Sequence, residues 1–126
     1  MTLKRTLLTL SLIFSITLMS SAQQFRALVF SKTAGFRHQS ISDAVVALKK
    51  MGEKQVFSVY ASEDPKVLLE ENLAKYDVLI LVSSTGTIFD ETTRASLQKF
   101  VRSGKGVVGV HAAADSEYEW PWYNQM

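Results

Sequence analysis

The chain has no cysteine, and that absence removes several chemistries together. No disulfide framework, thiolate zinc site, thiolate nucleophile or lipid-bearing N-terminal cysteine can exist. With only 2 prolines and 6 glycines in 126 residues, low-complexity linkers and fibrous repeats are excluded as well. A surplus of one charge is also missing. Lys+Arg number 14 against 12 Asp+Glu, and the difference sits in Lys4 and Arg5, because residues 1–22 contain no acid. The remainder is neutral, which leaves no basic footprint for nucleic acid. What the chain does have is 47% hydrophobic residues, enough for one soluble globular unit.

The apolar run Leu7 to Met19 has 13 residues, four of them Ser or Thr. It is short of the roughly 20 needed to span a bilayer. Preceded by Lys4 and Arg5 and followed by Ser20-Ser21-Ala22, it reads as an export signal cleaved after Ala22. The expected division is a signal peptide, residues 1–22, and a mature domain, residues 23–126, periplasmic or secreted, with no stable membrane insertion after cleavage.

In the mature part, apolar runs alternate with helical patterns, the signature of βαβ units and a parallel sheet. Strands are expected at Phe25 to Ser31, Val56 to Ala61, Asp77 to Val82 and Val107 to Val110. The unbroken DVLILV run fits a strand buried on both faces. A first helix carries Ile41, Ala44, Val45, Leu48 and Met51 on one face, with Ser40 or Ser42 as cap and Gly52 as its end. Glu63-Asp64-Pro65 breaks the second strand before a short helical segment reaching about Tyr76. Asp90 caps a helix from Glu91 to about Ser103, ended by Gly104, with Leu97, Phe100 and Val101 as its buried stripe. The expected fold is α/β: a doubly wound, mainly parallel sheet of flavodoxin-like order, whose ligands bind outside the carboxyl ends of the strands.

Three loops at that edge carry chemistry. Lys32 to His38 offers Arg37 and His38 for anion binding or proton transfer, although neither G-x-G-x-x-G nor G-x-x-x-x-G-K-[ST] is present. Ser83 to Thr87 brings four hydroxyls around Gly86, suited to a polyhydroxylated ligand or to an ordinary turn. Gly109-Val110-His111-Ala112-Ala113 has the layout of a nucleophile elbow with histidine at the tip, which suits His111 to acid/base work or metal ligation. Asp115, Glu117 and Glu119 follow as carboxylates that either orient an imidazole or sit on a solvated loop. Tyr118, Trp120, Trp122 and Tyr123 surround Pro121 and suit either a sugar platform or a lid packed on the core.

These residues carry a resemblance. Phe30-Ser31-Lys32-Thr33-Ala34-Gly35-Phe36-Arg37-His38 with Ser40-Ile41, then Glu71-Asn72-Leu73 leading to Tyr76-Asp77-Val78, and His111-Ala112-Ala113-Ala114-Asp115 with Glu117-Tyr118 and Trp120-Pro121-Trp122-Tyr123 resemble the ThuA-like (trehalose utilisation) family over residues 25–126. The resemblance implies a class I glutamine amidotransferase-like fold in which His111 occupies the elbow that elsewhere in that superfamily holds a catalytic Cys. It also implies a role in sugar, disaccharide or keto-sugar metabolism with a small carbohydrate as partner. ThuA-like domains run on past the Trp-Pro-Trp-Tyr motif, so the chain is expected to be an N-terminal part of the domain, incomplete at its C-terminus. The expected catalytic residues are His111, Asp115 and His38, with Arg37, Thr85, Tyr118, Trp120 and Trp122 binding substrate. A divalent metal on His38, His111 and Asp115 is a weaker expectation. The alternative is a non-catalytic sugar-binding or interaction module, or an inactive fragment.

Overall fold

The computed structural model describes residues 23–126; the expected signal segment, residues 1–22, lies outside the described residues. Four strands form one all-parallel sheet: β1 (Arg26–Phe30), β2 (Ser58–Ser62), β3 (Val78–Val82) and β4 (Gly106–Val110), in the order β2-β1-β3-β4. Each joins the next through helical chain: α1 (Ile41–Gln55), a 3-10 turn (Pro65–Leu68) with α2 (Glu70–Leu73), and α3 (Glu91–Arg102). A 3-10 turn (His111–Ala114) and α4 (Pro121–Gln125) follow β4. This is the doubly wound α/β sheet expected of the sequence.

Alternation along the two central strands builds a core on each face. Leu28, Phe30, Leu79 and Leu81 point into one cluster with Leu97 and Phe100 of α3. Their neighbours Ala27, Val29, Ile80 and Val82 point into the other, beneath Ala44, Val45 and Leu48 of α1. β1 and β3 are thus buried on both sides, whereas β2 and β4 form the thinly covered edges.

Four local expectations are corrected. The first helix does not stop at Gly52 but continues to Gln55, and Val56 takes the left-handed terminal conformation at φ 59°. Gly52 serves close approach instead: a Cβ there would lie 2.6 Å from the Phe57 carbonyl oxygen and 2.9 Å from Val59 Cγ2. It therefore completes the sheet-facing stripe, and Met51 is exposed. Neither serine caps α1, since Ser40 makes no capping bond and Ser42 Oγ donates to the Gln39 carbonyl. The second strand begins at Ser58, two residues later than expected, because Val56 and Phe57 complete the turn out of α1. Asp90, by contrast, caps α3 as expected, accepting from Thr93 N at 2.8 Å while Thr93 Oγ1 accepts from Asp90 N. The bond from Thr93 N, together with one that the Thr93 hydroxyl donates to the same carboxylate, holds the Asp90 carboxyl below its ordinary range.

Candidate functional site

The loops leaving β1, β3 and β4 at their carboxyl ends are laced together through the central one. Ala34 N and Gly35 N donate to the Thr85 carbonyl, and Thr85 Oγ1 donates to the Phe36 carbonyl at 2.7 Å. On the other side Ser83 N donates to Val110 O, Gly86 N to Asp115 O, and Glu117 N to Gly86 O. Gly86, at φ 72°, makes the crossing possible, because a Cβ there would meet Gly35 N at 3.0 Å. Thr85 is fully buried in this junction. Its hydroxyl is committed to the backbone of the first loop, so the expected substrate contact is replaced by a loop-to-loop tie.

That lacing brings together two side chains 73 positions apart in sequence. The rings of His38, after β1, and His111, after β4, pack edge to face with centroids 4.5 Å apart. His111 sits at φ 55°, a left-handed conformation that makes the turn out of β4 sharp, and is exposed. Gly109 and Ala113 explain why small residues flank it: a Cβ on Gly109 would lie 3.4 Å from that of Ala113. Phe36 extends the row, its ring 4.8 Å from His38 and 71% exposed. This uncovered aromatic beside His38 was not among the expected site residues. Its signal was a large apolar residue inside an otherwise polar loop.

The expected carboxylate partner is displaced. Asp115 accepts a hydrogen bond from the Tyr118 hydroxyl, which holds the Tyr118 phenol above its ordinary pKa; it is not hydrogen-bonded to either imidazole. Among the described residues no group of three or more His, Asp or Glu side chains is placed to hold a metal ion, so the set His38, His111 and Asp115 is not assembled. Arg37 is engaged in a bidentate pair with Glu63, at 3.1 and 2.7 Å. Ser31 Oγ donates to the same carboxylate. The guanidinium holds the Glu63 carboxyl below the usual range, and Glu63 raises Arg37 in turn. Glu63, read from sequence only as part of a strand-breaking turn, stands just past the carboxyl end of β2, where such a residue borders the ligand edge.

The aromatic segment packs inward. Trp120 is 8% exposed and lies against Phe89, Trp122 and Tyr123, with the Arg94 guanidinium 5.1 Å from its ring centre. Trp122 is half-buried against the same cluster, and the Tyr123 hydroxyl donates to Ala113 O. Burial, together with nearby Glu117, pushes the Tyr123 phenol up to about 12. An open platform on Trp120 is thus replaced by a plug, while Tyr118 and Glu119 face water. Glu117 is the largest departure. Instead of lying on a solvated loop it is 1% exposed; one oxygen accepts from Ile88 N and Phe89 N, the other from Arg94 at 2.7 Å. Glu117 itself adopts φ 56° to reach them.

An all-parallel α/β sheet of order 2-1-3-4 defines the class: a flavodoxin-like domain. The sequence pattern of the ThuA family, described as trehalose utilisation, matches residues 26–126, and the chain belongs to that family. The fold is similar to that of a ThuA-like protein from Bacteroides uniformis ATCC 8492, with TM-score 0.68 and 23% identity over 84% of this chain and 44% of that one. It is also similar to a ThuA-like protein from Parabacteroides merdae ATCC 43184, with TM-score 0.63 and 23% identity over 80% of this chain and 37% of that one. The chain thus spans less than half the length of either. No curated protein matches it in sequence.

Proposed function

We propose that this is an exported carbohydrate-processing protein whose chemistry is proton transfer on a sugar or keto-sugar by the pair His38 and His111. The observation that carries the reading is the 4.5 Å contact of the two imidazoles at the carboxyl edge of the sheet. Imidazole both gives and takes a proton near neutral pH, so two in contact supply a base and an acid to one substrate. With a keto-sugar, one ring removes a proton from the carbon beside the carbonyl while the other protonates the carbonyl oxygen, giving an enediol. Phe36 supplies the exposed apolar face on which a sugar ring can stack, the part first expected of Trp120. Export rests on the Lys4-Arg5 start, the apolar run and Ser20-Ser21-Ala22.

The chain has only 2 histidines, which makes the test direct. In NMR spectra of the protein, the imidazole signals of His38 and His111 are expected to move together when trehalose, glucose or a keto-hexose is added. His111→Asn should abolish that response and any turnover while leaving the fold intact. Signals that ignore the whole panel, or a His111→Asn protein that responds like the parent, would overturn the reading. A non-catalytic sugar-binding module is the second reading, favoured by the bond of Asp115 to Tyr118 in place of an imidazole. It predicts sugar-induced shifts with no solvent exchange at the carbon beside the carbonyl.

A further inference from the structure

We propose that the groove between the carboxyl ends of β1 and β2 and the start of α1 is a second sugar subsite, in which Arg37 and Glu63 grip a vicinal diol. The ligand class is then a two-ring saccharide with one ring at the histidines and the other in this groove. The proposal rests on the reading of the histidine pair as a sugar site. The groove, open to solvent, has a volume of 460 Å³ and adjoins a 220 Å³ hollow that His38 lines; Arg37, Ile41 and Ser42 belong to both. The smaller hollow falls below the roughly 300–1,000 Å³ of small-molecule sites, whereas the larger falls within it. A ligand seated in the hollow beside His38 therefore has room for its remainder in the adjoining groove, past Arg37 toward Glu63.

The chemistry of the lining selects the occupant. Arg37 and Glu63 neutralise each other, so an anion would meet Glu63 and a cation would meet Arg37; a neutral polyol meets neither penalty. The pair is about half exposed, with side-chain accessibilities of 53% and 45%. Two of the five guanidinium donors are used on Glu63, and Glu63 Oε2 accepts only from Arg37. Adjacent hydroxyls can accept from the spare donors and donate to the spare lone pair, the bidentate matching for which a planar fork is suited. Ser31 stands behind the carboxylate and orients it. Val45 and Ala61, both partly exposed, and the edge of the buried Ile41 add apolar surface to the groove lining, against which the C–H face of a pyranose can rest.

The experiment compares trehalose with glucose, read by the His38 NMR signal, in the parent protein, Glu63→Gln and Arg37→Lys. Glu63→Gln keeps the shape and removes the charge, and Arg37→Lys keeps the charge and removes the fork. Both are expected to raise the trehalose Kd tenfold or more, and the glucose Kd at least fivefold less than that. A parent that binds trehalose no tighter than glucose, or variants that weaken both sugars equally or neither, would overturn the subsite while leaving the histidine reading in place. A parent that answers to no saccharide removes both. Circular dichroism and thermal midpoints establish that each variant is folded; Arg37→Lys decides the matter if Glu63→Gln is not.

Discussion

Two guanidinium–carboxylate pairs lie at the same end of this sheet, each with a closest approach of 2.7 Å, and they do different work. Arg94 and Glu117 are enclosed, at 19% and 0% side-chain exposure. Every oxygen of that carboxylate is used, two bonds going to the backbone that leads into α3 and one to Arg94. Trp120 closes over the guanidinium, and Arg94 Nε is left buried without a partner, a cost tolerated because the network joins two loops. Arg37 and Glu63, half exposed, keep spare donors and acceptors. Identical ionic chemistry is a strut where water is excluded and a handle where it is not.

The comparison is broken most forcefully at Glu117. Glu117→Ala leaves the Ile88 and Phe89 N–H groups buried without an acceptor and Arg94 with only its exposed contact to Glu91, and should cost about 3–5 kcal/mol in urea unfolding. A loss as small as that of an exposed pair would mean that the loop relaxes and the strut is no strut. Tyr123→Phe comes next. It removes the hydroxyl that donates to Ala113 O and should cost about 1 kcal/mol. Because the folded phenol is raised from 10.0 to about 12, its contribution is complete below pH 10 and lost as pH rises through about 12. The parent should therefore lose stability over that window more steeply than Tyr123→Phe, and superimposable alkaline profiles would refute this. The smallest effect belongs to Glu63→Ala, whose unfolding midpoint should stay close to the parent's. The Glu63 carboxyl lies below its ordinary 4.5 in the folded protein, so whatever the pair contributes is present above that pH and lost as pH falls through the lowered value. Molar salt, with a screening length of about 3 Å, should erase the difference between Glu63→Ala and parent but leave that of Glu117→Ala. Equal salt sensitivity would show that the two pairs are not distinct.

The elements were legible where a local pattern has one physical outcome. Val78 to Val82 could be read as a doubly buried strand because an unbroken β-branched and Leu run has no polar face to give to water. Asp90 could be read as a cap because its carboxylate needs only the backbone three residues on. The elbow was legible in the small residues around His111. Less could be read where the outcome depends on what lies across the fold: Gly52 looks like a terminator until Phe57 and Val59 are seen pressing on its Cα, and Val56 gives no hint that it will turn left-handed.

By itself, then, the sequence determined the parallel α/β sheet and the family pattern, since hydrophobic period, turn residues and motif spacing are properties of neighbouring positions. Only the tertiary structure decided partners. The meeting of His38 with His111, the choice of Glu63 by Arg37 and the burial of Glu117 against Arg94 are pairings across as many as 73 residues. Such pairings depend on strand order and on which loop crosses which. A carboxylate beside aromatics reads the same in one dimension whether it faces water or a guanidinium, and desolvation, which separates those two fates, is a property of the whole packed chain.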